Sequence, residues 1–446
     1  METTRGRTAW PAVAAAVTGY LIEAVVAGVP GSPLQPVLAP GGDPGGPFVW
    51  LAELLGLDRL GDALPVASVL GVAAGMAGFL ILLRAAWRGD LSVGVALGLS
   101  IAFHVGIVLE PLLISRDVYS YIAHGQIVSL HHGNPYVQTP ADFPGFLSRT
   151  LVGPQWVDTP SVYGPLFTHL AGAVTRTTSR LDVLVDTFRL IAIGASLATT
   201  FVVGAVCRRV RPARAAFAVA AFGLNPVILF QSAGSGHNDL LVALAIAIAA
   251  WCVLRDRTHS AIAIVACGAL VKATAFLPLV LLIVWVAWRR PSGERVRAAA
   301  THAAVGLAIV LVVAVPFLQR HDPTLGMLEL SSHEGWLAPS RFFRRLLDAV
   351  SGDTLGVVAR LAFAIALVFA VVWLVRAVAQ AAASGRPSLE LLGGWGWALL
   401  ALTLLGPILL PWYLAWSLPL IWILPKAPRV SLVALSVVLA LSQWTA

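Results

Sequence analysis

The chain has 446 residues, 58% of them hydrophobic and 12% charged, with a formal charge of +8 and a mean hydropathy of +0.84. Soluble domains carry about 25% charged residues, so this composition excludes a water-soluble globular fold. A nucleic-acid-binding domain is excluded as well, because the arginines are scattered between apolar runs and gather in no basic region.

Apolar windows of the roughly 20 residues needed to cross a hydrocarbon core recur from end to end, and windows of that length must be helices. The first, 9–29, follows Arg5 and Arg7; it is long for the apolar core of a signal peptide and reads as a retained helix. Further spans are expected near 65–84, 92–113, 184–206, 214–231, 239–254, 261–271, 274–288, 299–318, 355–377, 389–410, 413–424 and 430–444. The sequence therefore predicts an all-α integral membrane bundle of about thirteen transmembrane helices, with 1–446 forming a single polytopic domain. Cys207, Cys252 and Cys267 fall within or at the edge of apolar segments, without CxxC or Cys/His spacing, and read as small buried hydrophobes.

With the N-terminus in the cytoplasm, the clusters Arg84/Arg88, Arg208/Arg209/Arg211/Arg214, Arg255/Arg257, Arg289/Arg290/Arg295/Arg297, Arg376/Arg386 and Lys426/Arg429 all fall inside. Together with Arg5 and Arg7 they hold eighteen of the thirty basic residues, on short loops, as the positive-inside rule requires. Three sizeable segments are then external: 30–64, 114–182 and 319–354. The Gly/Pro-rich part of the first, 30–47, reads as an exposed loop. Within the second, the apolar piece 163–174 is too brief to span and is expected to be an interfacial or re-entrant helix. No internal repeat is evident, which weakens a transporter built from duplicated halves.

The polar residues that interrupt this pattern carry the chemistry. Directly after the third span comes Ser115-Arg116-Asp117-Val118-Tyr119-Ser120-Tyr121, then His124-Gly125 and Asn134-Pro135-Tyr136. A carboxylate at a helix mouth beside aromatic rings suits a general base for a hydroxyl group; Asp117 pairing with Arg116, or capping the next helix, is the structural alternative. Gly234-Ser235-Gly236-His237-Asn238-Asp239 joins two spans at the same depth. A hairpin turn explains its glycines and caps explain Asn238 and Asp239, but neither calls for His237.

Lys272 interrupts an apolar stretch, 261–288, that is too long for one straight span. An intramembrane lysine costs about 2.5 to 3.5 kcal/mol at mid-bilayer, so a hairpin reaching the outer cavity is expected, where the ammonium suits a phosphate oxygen. Snorkelling to the interface is the alternative. The third external segment carries His321-Asp322, Glu329 and His333-Glu334-Gly335-Trp336, followed by Arg341, Arg344 and Arg345 on an amphipathic helix. Those arginines suit an anionic lipid head group or a solvated face. His333-Glu334 does not make HExxH, which removes a metalloprotease. Pro411-Trp412-Tyr413 reads as interfacial aromatic anchoring.

Asp117 at the head of a long loop, Asn134-Pro135-Tyr136, the entry Tyr163-Gly164-Pro165-Leu166 and Gly236-His237-Asn238-Asp239 together resemble the GT-C superfamily of polytopic glycosyltransferases. More narrowly, the run 116–140 and the His237-Asn238-Asp239 turn resemble the actinobacterial polyprenol-phosphomannose-dependent α-1,6-mannosyltransferases that build lipomannan cores of the cell envelope. The likeness extends over roughly 90–425.

It implies a multi-pass plasma-membrane enzyme with an extracytoplasmic active site. Asp117 would deprotonate a lipid-linked mannoside acceptor, and a polyprenyl-phosphate-mannose donor would be inverted from β to α. It further implies substrate-binding roles for Arg116, Tyr119, Tyr121, His124, Asn134, Tyr136, Tyr163, His237, Asn238, Asp239, Lys272, His333, Glu334, Arg341 and Arg344. Positive charge on Lys272, His237 and one of Arg341, Arg344 or Arg345 would stabilise the leaving phosphate. No cofactor is expected, with a divalent metal left open. The competing readings are the same enzyme class with another polyprenyl-phospho-sugar, such as a pentose, or with a protein hydroxyl as acceptor. A different class, a secondary transporter or lipid flippase using Lys272 and Asp239 as intramembrane charges, is the third.

Overall fold

A computed structural model describes residues 9–36, 46–145, 147–318, 325–327, 335, 337–351 and 356–442. Every regular element among them is helical. α1 (Trp10–Ala27), α2 (Pro47–Leu54) and α3 (Leu64–Arg88) each begin with a proline in the first turn, where its missing N–H breaks no helical bond. α1 packs along α3.

α4 (Val93–Leu109) starts at Ser92, whose hydroxyl accepts the Val95 N–H at 3.2 Å. Next come α5 (Asp117–Leu130), the short α6 (Leu147–Leu151) and α7 (Pro165–Thr175). α8 (Leu181–Val210) runs for 30 residues. α9 (Ala215–Gly223) is buried on all sides and leads into a wide π-helical turn, Val227–Ala233. α10 (Asp239–Val253), α11 (Thr258–Ala269), α12 (Phe276–Trp288) and α13 (Arg295–Ala314) follow. α14 (Pro339–Ser351), α15 (Gly356–Ala383), α16 (Leu389–Leu405), α17 (Leu414–Ser417) and α18 (Lys426–Leu441) finish the chain.

Among the described residues, six helices are long and apolar enough to cross a membrane: Trp10–Ala27, Leu57–Arg88, Leu181–Val210, Pro212–Ala233, Ser292–Phe317 and Gly356–Ala383. Five shorter apolar helices accompany them, so length and composition do not reach the expected thirteen crossings. The windows in α13 and α15 are only 11% buried within the protein. That degree of apolar exposure suits helices whose surroundings are hydrocarbon.

The expected span 413–424 is corrected. Two 3₁₀ turns, Pro411–Tyr413 and Leu418–Leu420, flank the four-residue α17, and the whole segment is buried. Pro411 and Pro419 lack the N–H that a continuous helix would need, so no straight span forms.

The long apolar stretch around Lys272 is a hairpin, as expected: α11 ends at Ala269 and α12 begins at Phe276. The piece at 163–174 is the 11-residue α7, about 16 Å long and too short to cross. The amphipathic helix expected at Arg341 is α14, with Phe342, Phe343, Leu346 and Val350 exposed along one face. His321, Asp322, Glu329, His333, Glu334 and Trp336 lie outside the described residues.

Candidate active site

Asp117 is the first residue of α5. Its N–H donates to the Ser115 hydroxyl at 3.1 Å, so the helix start is capped from two residues back. The segment leading to it is tied to the second half of the site, since Leu113 N–H donates to the Gly234 carbonyl at 3.3 Å.

The turn from Gly234 to Asn238 is fully buried. Gly236 has φ +73°, and a Cβ there would sit 2.7 Å from Val118 Cγ2 in α5. Glycine is thus needed both for the backbone hand and for the approach of the turn to α5. This approach brings His237 Nδ1 to 3.4 Å from Asp117 Oδ2, with the imidazole completely buried and the Asp117 side chain 28% exposed. The imidazole stacks on Trp412, ring centroids 3.8 Å apart and 17° from parallel.

Asp239, one turn deeper, is 1% exposed at its side chain and receives Lys272 Nζ at 2.8 and 3.0 Å. Trp416 Nε1 also donates to Asp239 Oδ1, at 2.7 Å. The position of Asp239 at the N-terminus of α10 adds the helix dipole to this stabilisation of its negative charge. The Lys272 ammonium lies 4.6 Å from the centroid of the Tyr413 ring and 5.5 Å from that of Trp416. The hairpin that carries it is pinned to α7, where Gly164 and Leu166 N–H groups donate to Val271 and Leu270 carbonyls at 3.0 Å each. Any side chain at Gly164 would collide with the Leu270 backbone.

The electrostatics follow from these contacts. Burial pushes the Asp117 carboxyl upward, but the close approach of the His237 imidazole, the Lys272 charge and Ser115 outweigh it, so the group lies below its usual 3.8. Asp117 is therefore ionised at neutral pH. Burial raises the Tyr121 and Tyr163 phenols and keeps them protonated. It lowers His124 to about 4, so that ring is neutral.

Asp117, His237, Asp239 and Lys272 thus converge, although up to 155 positions separate them in the chain. Tyr121 joins them, its hydroxyl accepting the Asn238 N–H at 3.4 Å and its ring edge-on to Tyr163 at 4.9 Å. Among the described residues, the buried amide of Asn238 has no side-chain hydrogen-bond partner. Arg116, half-buried, precedes Asp117, whereas Tyr119 is packed in the core.

Other expected contacts are structural in their geometry. Asn134 bonds the Phe317 carbonyl and its own loop. The Tyr136 hydroxyl is engaged by the Tyr163 carbonyl and Thr168, both at 2.8 Å. Arg344 pairs with Asp348 at 3.0 Å, while Arg341 lies on the first turn of α14. Gly335 N–H donates to the Pro407 carbonyl at 3.0 Å, tying the entry of α14 to the linker before Trp412. Among the described residues no group of three or more His, Cys, Asp or Glu gathers in a way that would hold a metal ion.

Two sets of residues escaped the sequence reading. Pro411-Trp412-Tyr413 is corrected from membrane anchoring: Trp412 backs His237, Tyr413 underlies Lys272, and Trp416 bonds Asp239. Arg189, 5% exposed, donates through Nη2 to the carbonyls of Ile107, Glu110 and Pro111, and through Nε to that of Gly234. One guanidinium therefore ties the approach to Asp117 to the turn that carries His237. An arginine inside the apolar run of α8 was the available signal.

The family model described as "Alpha-(1->6)-mannopyranosyltransferase, N-terminal domain" matches residues 45–289, more than half of the chain. The chain belongs to this family. Asp117, His237, Asp239 and Lys272 all lie in the matched region, and membership makes the chain a glycosyltransferase. A second model, "MptB C-terminal domain", matches residues 344–445 and contains Trp412, Tyr413 and Trp416. The site is assembled from both regions.

Among curated relatives, the chain is 27% identical over 411 residues to Alpha-(1->6)-mannopyranosyltransferase A of Mycobacterium tuberculosis, covering 86% of this chain and 76% of that protein. It is 26% identical over 194 residues to Alpha-(1->6)-mannopyranosyltransferase A of Corynebacterium glutamicum, covering 43% and 39%. Alpha-(1->6)-mannopyranosyltransferase B of Corynebacterium glutamicum is 23% identical over 347 residues, covering 70% and 56%. No solved structure gives a significant match.

Proposed function

We propose that this chain moves mannose from a polyprenyl-phosphate-mannose donor to a lipid-linked mannoside, forming an α-1,6 linkage at the extracytoplasmic face of the plasma membrane. The observation that carries the reading is an ionised, partly exposed Asp117 whose carboxylate is backed by the buried His237 and reached by the charge of Lys272. In the reaction, the acceptor hydroxyl oxygen attacks the anomeric carbon as its proton passes to Asp117. The bond from that carbon to the donor phosphate breaks, and its electron pair leaves with the phosphate. A β-linked donor then gives an α-linked product.

His237 has the position of a buried orienting group for Asp117, held flat by Trp412. Its 3.4 Å separation is the loose geometry common in sites that tighten around substrate. Lys272 retains a third N–H beyond the two directed at Asp239, and its 12% exposed side chain suits a leaving phosphate oxygen. Asn238, its amide unmatched among the described residues, suits a sugar hydroxyl. The arginines Arg84, Arg88, Arg211 and Arg214 lie at the end of the bundle opposite Asp117, which supports an external site under the positive-inside rule.

The test supplies purified protein in liposomes with a panel of polyprenyl-phospho-sugars and a lipid-linked mannoside. Product mass and anomeric configuration are then read by mass spectrometry and NMR. Transfer from the mannose donor alone, with an α-linked product, is expected. A pentose-bearing or protein-linked product overturns the substrate assignment. A β-linked product overturns inversion, and flux without a covalent product overturns the enzyme reading.

A further inference from the structure

A concave feature lies at the far end of α4 from Asp117, separated from it by the length of that 17-residue helix, about 25 Å. It is a groove of about 630 Å³ between α3 and α18, inside the roughly 300–1,000 Å³ range usual for small-molecule sites. Its walls are apolar, with Leu80 and Leu83 from α3 facing Val433 and Val437 from α18. One end is cationic, lined by Arg84, Lys426 and Arg429.

This charge is uncompensated. Among the described residues, Arg84, Arg214, Lys426 and Arg429 have no carboxylate partner, and Arg84 and Lys426 make no side-chain hydrogen bond. Arg214 and Arg429 instead both lie over the Trp87 ring, 3.5 and 4.0 Å from its centroid. Two guanidiniums are held beside one indole at the mouth of an apolar channel, with no carboxylate of the described residues paired to either. Val430 in the wall is 55% exposed, so the groove opens on the side that faces hydrocarbon in a membrane-spanning chain. A water-soluble anion would leave the apolar walls unused and a neutral lipid would leave the cations unmatched.

We propose that this groove binds one anionic membrane phospholipid, its phosphate held by Arg84, Lys426 and Arg429 and an acyl chain lying along Leu80, Leu83, Val433 and Val437. Basic pockets between membrane helices on the cytoplasmic side favour such head groups through the same pairing of charge and depth. The site is separate from the mannosyl-transfer centre, and its occupancy does not depend on what that centre transfers.

The experiment is native mass spectrometry of the full chain in mild detergent, with phosphatidylglycerol, phosphatidylcholine of the same acyl chains, or glycerol 3-phosphate added. One retained phosphatidylglycerol per chain is expected, with phosphatidylcholine at least tenfold weaker and glycerol 3-phosphate unable to compete. The double variant R84Q/K426Q, which changes two exposed side chains, is expected to weaken retention about tenfold or more. R208Q/R209Q, on cations that do not line the groove, is expected to leave it unchanged. Ala434→Phe keeps every cation while filling the channel, and is expected to abolish retention; it carries the test by itself if the double variant does not purify.

Equal retention of both lipids, undiminished retention in Ala434→Phe, or an equal loss in R208Q/R209Q overturns the proposal in favour of a diffuse basic surface. Competition by glycerol 3-phosphate overturns it in favour of a free-phosphate site.

Discussion

Replacing Lys272 by Met tests whether the buried pair with Asp239 is a structural unit as well as a charge source. The Asp239 side chain is 1% exposed and that of Lys272 12%, with both carboxylate oxygens within 3.0 Å of the ammonium. Removing one partner of such a pair leaves the other charge buried and unmatched, at about 3–5 kcal/mol, whereas removing both is often close to neutral. Lys272→Met alone is therefore expected to lose about 3–5 kcal/mol, leaving the Asp239 carboxylate, among the described residues, with the Trp416 N–H as its side-chain donor. Asp239→Asn alone leaves the ammonium exposed to a neutral amide. The double variant D239N/K272M should recover most of the single-variant loss.

Unfolding in mixed detergent micelles, followed by tryptophan fluorescence, reads this loss, with Trp416 in contact with both members of the pair. Activity separates from stability in the same set. If Lys272 also holds the donor phosphate, the double variant folds but its donor KM stays raised. Single variants within about 1 kcal/mol of wild type, the range of exposed ion pairs, or a double variant whose loss equals the sum of the singles, would refute the coupling.

Three further outcomes follow from the same geometry. Because His237 lowers the Asp117 carboxyl against burial, the acid limb of the pH–rate profile lies below 3.8 in the wild type and moves to higher pH in His237→Gln. The sign for stability is the same: a depressed carboxyl contributes stability above its unfolded value and loses it as pH falls through the folded one. Gly236→Ala, forced to φ +73° and toward Val118, is expected to lose about 1–2 kcal/mol and to lower kcat more than donor KM, as thermal unfolding and initial rates will show. Arg189→Lys keeps the charge but cannot reach four carbonyls from one planar group. It is expected to give a folded protein with reduced kcat, and an unchanged kcat would remove its positioning role.

The residues legible in the sequence were those that an apolar chain has least reason to carry. Asp117, His237, Asp239 and Lys272 each interrupt or border hydrocarbon-length runs, and an uncompensated charge there is expensive. Their convergence was not legible, because it depends on the Gly236 turn closing on Val118 and on the Gly164 approach to Leu270. Trp412 and Tyr413 were misread because aromatics ending an apolar run serve membrane interfaces and buried sites equally well, and Trp416 carried no polar signal of its own. Pro411 and Pro419 were the signal that 413–424 is no span. Asn134 and Tyr136 were recognised as special for the right loop, but their polar atoms serve its closure.

The most direct test of the central claim is mannosyl transfer by Asp117→Asn, reconstituted beside the wild type with polyprenyl-phosphate-mannose and a lipid-linked mannoside. Asn is close in size and keeps the helix start intact, but it cannot take the acceptor proton. A folded protein that still binds donor and has lost about 10²–10⁴-fold in rate is expected. Transfer at the wild-type rate would contradict the account.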